Sequence, residues 1–114
     1  MPVDGRLRIE VVLNGDIAIL RLRGELDLAS TPILSAQLQQ TGSAGPAAIV
    51  IDLSELEFMD STGLRSILMA SEQCEKSGLR FAVVPGGRQV ARLLEIARIE
   101  EHLNLISSPA ELAG

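Results

Sequence analysis

Two short apolar runs limit the fold more than anything else in this sequence. Ala47 to Leu53 reads AAIVIDL, and Leu79 to Val84 reads LRFAVV. Neither alternates cleanly with polar residues, so each suits a strand covered on both faces, as in a parallel sheet. Parallel neighbours need a crossover of a dozen or more residues. The stretch between the runs supplies it. A helix from about Thr62 to Ser77 puts Leu64, Ile67, Leu68 and Ala70 on one side, and Gly78 is placed to close its C-terminus. Such a strand–helix–strand unit crosses over right-handedly and packs its helix on the sheet.

The flanking segments extend this unit. Arg6 to Leu13 alternates, with Leu7, Ile9, Val11 and Leu13 on one face and Arg6, Arg8 and Glu10 on the other, the pattern of a half-buried strand. Asn14-Gly15 predicts a two-residue hairpin turn, and Asp16 to Arg23 the returning strand. After Gly24-Glu25-Leu26-Asp27-Leu28, Ser30 or Thr31 caps a helix with Pro32 in its first position, ended by the loop Thr41 to Pro46. Ser54 to Asp60 reads as a loop. Past Pro85-Gly86-Gly87, Val90, Leu93, Leu94 and Ala97 fall at helical spacing. Leu103 to Ile106 suits a short edge strand, and Ser108-Pro109 opens a brief last helix. The expected order is β-β-α-β-α-β-α-β-α. That is one α/β domain over residues 1–114 with its core in about 6–113: a mixed, mostly parallel sheet with an N-terminal hairpin strand and helices packed against it.

Composition narrows function by exclusion. The chain carries 15 acidic and 10 basic residues, a formal net charge of −5, with Lys76 its only lysine and Phe58 and Phe81 its only aromatics. Phosphate neutralisation and base stacking both lack their residues, so no nucleic-acid partner is expected. No basic amphipathic face is visible, and no apolar run nears the roughly 18 residues of a spanning helix, so no direct membrane insertion is expected. Met1 to Gly5 carries no export pattern and Cys74 has no second cysteine to pair with, which together point to the cytoplasm.

Candidates for catalysis fall one by one. His102, the single histidine, reads as a partly exposed structural residue, and Cys74 as a small packed one. No zinc, calcium or nucleotide-loop spacing occurs, so neither metal nor cofactor is expected. Pro85-Gly86-Gly87-Arg88 reads as a loop and cap rather than an anion site. Asp52, Glu55, Glu57 and Asp60 have no neighbouring base and read as a solvated loop. What remains is Phe58-Met59-Asp60-Ser61-Thr62-Gly63-Leu64, between the central strand and a helix. Asp60 or Ser61 caps that helix, and Gly63 permits close packing. Alternatively, Ser61 presents a hydroxyl at the carboxyl edge of the sheet, where α/β folds build sites, beside a helix N-terminus that tolerates added negative charge.

Asp52-Leu53-Ser54 through Phe58-Met59-Asp60-Ser61-Thr62-Gly63-Leu64, the Gly24-Glu25-Leu26-Asp27 turn and Val90-Ala91-Arg92-Leu93-Leu94-Glu95 together resemble a STAS domain of the anti-sigma-factor antagonist family. The resemblance runs from about Arg6 to Ala113. It implies a non-enzymatic protein that, unphosphorylated, binds an anti-sigma factor which is also a serine kinase of the GHKL ATPase type, so that a sigma factor is released. Phosphorylation by that kinase ends the interaction, and a metal-dependent serine phosphatase resets it. By the same resemblance Ser61 is the phosphoacceptor, with Asp27, Asp60, Thr62 and Gly63 as its neighbours; Arg65, a departure from the family pattern, reads as a solvated helix residue or else as a charge beside the phosphate or a partner contact. Arg65 stands where many relatives have a small residue, and Ala97-Arg98-Ile99 where many have a glycine. Two other readings stay open: a STAS accessory subunit of a membrane transport complex, and a non-phosphorylated interaction or sensor module.

Overall fold

The computed structural model describes residues 6–98 and 103–113; His102 lies outside them. Its strands are β1 (Arg8–Asn14), β2 (Ile17–Leu26), β3 (Ala48–Asp52), β4 (Leu56–Met59) and β5 (Arg80–Val84). Its helices are α1 (Thr31–Ser43), α2 (Ser61–Lys76), α3 (Arg88–Ile96) and α4 (Ala110–Ala113). β1 and β2 form the antiparallel hairpin, while β2–β3 and β3–β5 pair in parallel, giving the order β1-β2-β3-β5. The α/β class and the mixed, mostly parallel sheet expected from the sequence are present.

Strand periodicity sorts the core into two clusters. Ala18, Leu20 and Leu22 of β2, Ile49 and Ile51 of β3, and Phe81 and Val83 of β5 join Leu34 of α1, Leu64, Ile67 and Cys74 of α2, and Val90 and Leu94 of α3. The intervening residues Ile17, Ile19, Ala48, Val50, Ala82 and Val84 form a second cluster with Ile106. Burial on both sides explains why β3 and β5 are continuous apolar runs. At the end of α2, Gly78 takes φ 74, and Leu79 N donates to Cys74 O at 2.8 Å while Gly78 N donates to Glu75 O, a Schellman closure.

Several details differ from the sequence reading. The hairpin turn is Gly15-Asp16, one residue later than expected, because Gly15 (φ 64) takes the first central position and Asn14 stays in β1. Val11 and Leu13, towards the turn end of this edge strand, are exposed although they share a face with buried Leu7. Helix α1 runs through Gly42 to Ser43, with Thr41 buried inside it. Residues 103–106 make only the single parallel bridge Val83↔Leu105 rather than a strand.

The larger correction concerns Ser54 to Asp60, which contains β4. This strand pairs in parallel with Gly24–Leu26 of β2, across a register shift where Gly24 adopts φ 94. Its buried residues, Leu56 and Met59, are three apart, so no alternation marked it. Nor are all the acids of residues 52–60 without bases, because β2 brings one arginine beside Asp52 and another beside Glu55. Arg21 Nε lies 3.6 Å from Asp52 Oδ2, and Arg23 Nε donates to Glu55 Oε1 at 2.8 Å. Hydrogen bonding to Glu55, then its charge, raises the pKa of the Arg23 guanidinium. Asp52 itself is buried and accepts from Ser54 N at 2.9 Å.

Candidate functional site

Because β2 and β4 are parallel, their C-terminal ends finish together, Leu26 beside Met59. Asp27 and Asp60 are the next residues on each chain, and the N–H of Asp60 donates to Leu26 O at 3.2 Å, joining the two exits. Asp60 is extended (φ −102, ψ −177) and caps α2, its Oδ1 accepting from Gly63 N at 2.8 Å. Of the two cap candidates, Asp60 is therefore the one used. Its carbonyl takes Leu64 N at 3.0 Å as the first helical bond. A Cβ on Gly63 would stand 2.4 Å from Leu26 O, so only glycine lets α2 begin this close to β2.

Ser61 is the first residue of α2 and is exposed; among the described residues its hydroxyl makes no hydrogen bond. Thr62 beside it is half-buried. Arg65, one turn on, is exposed and forms no ion pair among the described residues. The spacing Ser61, Arg65, Met69 follows one line up the helix. Met69 is 61% exposed, Leu28 beyond the end of β2 is 71% exposed, and Phe58 on β4 is 40% exposed. No further acid lies in the first turn of α2; the Asp60 carboxylate, on Gly63 N, is the anionic group already set at its positive dipole end.

Asp27 is held by its own loop. Its Oδ1 accepts from Ser30 N at 3.0 Å and lies 3.1 Å from Ser30 Oγ, while Ser30 Oγ accepts from Asp27 N at 2.9 Å and reaches Glu25 O at 2.9 Å. Ser30 is thus the residue before α1 but gives no side-chain cap to it. The loop that carries Asp27 is a turn over Asp27–Ser30 whose carboxylate is structural on at least one oxygen.

One contributor escaped the sequence reading altogether. Gln89, in the first turn of α3, donates from Nε2 to Met59 O at 2.9 Å and accepts from Met59 N at 3.0 Å through Oε1. It stands 30 residues from its partner, and nothing local to it marks the contact. The close approach that allows it depends on Gly86, where a Cβ would lie 2.2 Å from Leu53 O, and Gly87 is the N-cap residue of α3. Cys74 is buried, and that burial pushes its thiol pKa up. Among the described residues no group of three or more His, Cys, Asp or Glu could hold a metal ion, and no helix is long and apolar enough to cross a membrane.

The STAS domain family matches residues 8–112. An anti-sigma F factor antagonist of Paenibacillus polymyxa is 33% identical over 92 residues, covering 80% of this chain and 79% of the relative. The chain belongs to the STAS domain family, among its anti-sigma-factor antagonists. The anti-sigma-F factor antagonist RsfB of Mycobacterium tuberculosis is 29% identical over 108 residues, covering 95% of this chain and 88% of the relative. In fold, this STAS chain is similar to the crystal structure of an anti-sigma factor antagonist from Mycobacterium paratuberculosis, with a TM-score of 0.86 at 23% identity, covering 97% of this chain and 94% of that one.

Proposed function

We propose that this protein releases a sigma factor by binding its anti-sigma factor, and that phosphorylation of Ser61 switches the binding off. The partner is an anti-sigma serine kinase of the GHKL ATPase type; a metal-dependent serine phosphatase restores the hydroxyl; the protein catalyses nothing itself and works in the cytoplasm. The observation that carries this reading is the exposed Ser61 hydroxyl at the N-terminus of α2, which makes no hydrogen bond among the described residues. Asp27, Thr62 and Arg65 border the docking surface, and Asp60 and Gly63 fix the backbone that presents the hydroxyl.

A phosphate on Ser61 adds about −1.5 to −2 charges at pH 7. The dipole of α2 favours an anion there by about 0.3–1 kcal/mol, the neighbouring Asp60 carboxylate opposes it, and effects of that size leave the domain folded. A docked partner must desolvate the phosphate, which costs several kcal/mol without a matching cation. Each ~1.4 kcal/mol is tenfold in affinity, so charge alone breaks the complex without reshaping the domain. The test compares affinities for the anti-sigma kinase. Ser61→Ala binds like the unmodified chain, and Ser61→Glu binds at least about tenfold more weakly. Equal affinity of the two variants would refute the switch and favour a STAS accessory module, in which no acceptor is needed.

A further inference from the structure

We infer that Gln89 is a positioning residue for the Ser61 hydroxyl, its carboxamide standing in for a neighbouring strand on the open side of β4. The inference rests on Ser61 being the phosphoacceptor. Along a strand, successive residues aim their N–H and C=O groups to opposite edges. Asp60 aims its N–H at Leu26 O of β2, so Met59 aims both of its groups the other way. Among the described strands β4 pairs with β2 alone, so no ladder receives Met59 there. Met59 is fully buried, and unmet backbone groups at such a position are costly. A glutamine carboxamide carries the same donor and acceptor as a peptide group, and Gln89 satisfies both groups of Met59, at 2.9 and 3.0 Å.

The consequence lies two residues downstream. From Met59 to Gly63 the backbone is pinned by Gln89, by Leu26 O and by the Asp60 carboxylate, while the Ser61 side chain stays free. That suits the chemistry. Ser61 Oγ attacks the γ-phosphorus of ATP, the new O–P bond forms as the bond to the ADP oxygen breaks, and the hydroxyl proton passes to a base on the kinase. Such a transfer depends chiefly on alignment, so a backbone that holds the acceptor still raises its rate.

The experiment uses the full chain carrying Gln89→Met, which keeps length and helix preference but neither hydrogen bond, and Gln89→Glu, which keeps only the acceptor for Met59 N. Phosphorylation by the anti-sigma serine kinase with ATP is followed below the melting range, together with amide hydrogen exchange at Met59. For Gln89→Met we expect exchange about tenfold faster and kcat about fivefold lower, with KM within about twofold of wild type; Gln89→Glu falls between. A residue that merely ties α3 to the sheet would lower the melting temperature and leave kcat alone. Wild-type kcat in both variants, a defect confined to KM, or failure of both variants to fold would overturn the inference. If the wild-type chain gains no phosphate, or gains it on a residue other than Ser61, the acceptor reading itself fails and the Gln89 inference falls with it. Undiminished kcat at a verified Ser61 removes only the Gln89 role.

Discussion

Gly63→Ala places one methyl group where α2 meets the end of β2. The new Cβ would lie 2.4 Å from Leu26 O and 2.9 Å from Leu26 Cγ, and ordinary contact begins near 3.4 Å, so helix and strand must part by about 1 Å. That movement strains the Asp60 N to Leu26 O bond and the cap from Asp60 to Gly63 N. Overpacking of this kind costs about 1–3 kcal/mol, and a weakened N-cap adds a fraction of the ~1 kcal/mol such caps are worth. Alanine returns up to ~1 kcal/mol through its better helix propensity. The net loss is about 1–2 kcal/mol, a fall in Tm of about 4–8 °C for a chain of this size. Gly42→Ala is the control: it is also helical and a Cβ there meets nothing within 4 Å, so propensity acts alone and Tm rises by about 2 °C. Thermal melts by circular dichroism read both. A Tm for Gly63→Ala at or above wild type would refute the close-approach argument.

Three further outcomes follow from the geometry. Asp27→Ala removes the acceptor of Ser30 N and costs about 1 kcal/mol in denaturant melts, whereas Asp27→Asn keeps Oδ1 and melts near wild type; equal stability of the two would contradict the turn. If Asp27→Asn still lost partner affinity, its charge would be shown to serve docking. Arg98 closes α3 at φ 56, so Arg98→Gly relieves a left-handed backbone and raises stability by up to ~1 kcal/mol; a lower Tm would refute that account. The Cys74 thiol pKa is raised by burial, so the stability it supports is whole below the free-thiol pKa and is lost as pH climbs through the raised value. At neutral pH its labelling by a thiol reagent is much slower in the folded chain than in denaturant, and equal rates would contradict the burial.

Much of this fold was legible because its signals are local. The central strands were read from runs that burial on both faces requires, and Gly78 from a cap that needs φ > 0. Strand β4 was not, since Leu56 and Met59 are three apart and only the far end of β2 makes that stretch a strand. The bases that face Asp52 and Glu55 were missed for the same reason: Arg21 and Arg23 arrive through pairing, not through sequence proximity. At the site, Asp60 and Gly63 act within one helical turn and could be anticipated. Gln89 could not, because a carboxamide replacing a strand neighbour leaves no periodic trace.

The most direct measurement is the intact mass of the chain after incubation with ATP and the anti-sigma kinase, with the modified residue located by fragmentation. The wild-type chain is predicted to gain one phosphate, on Ser61, and Ser61→Ala none. Phosphate gained by Ser61→Ala to the wild-type extent, on Thr62 or elsewhere, would contradict the account.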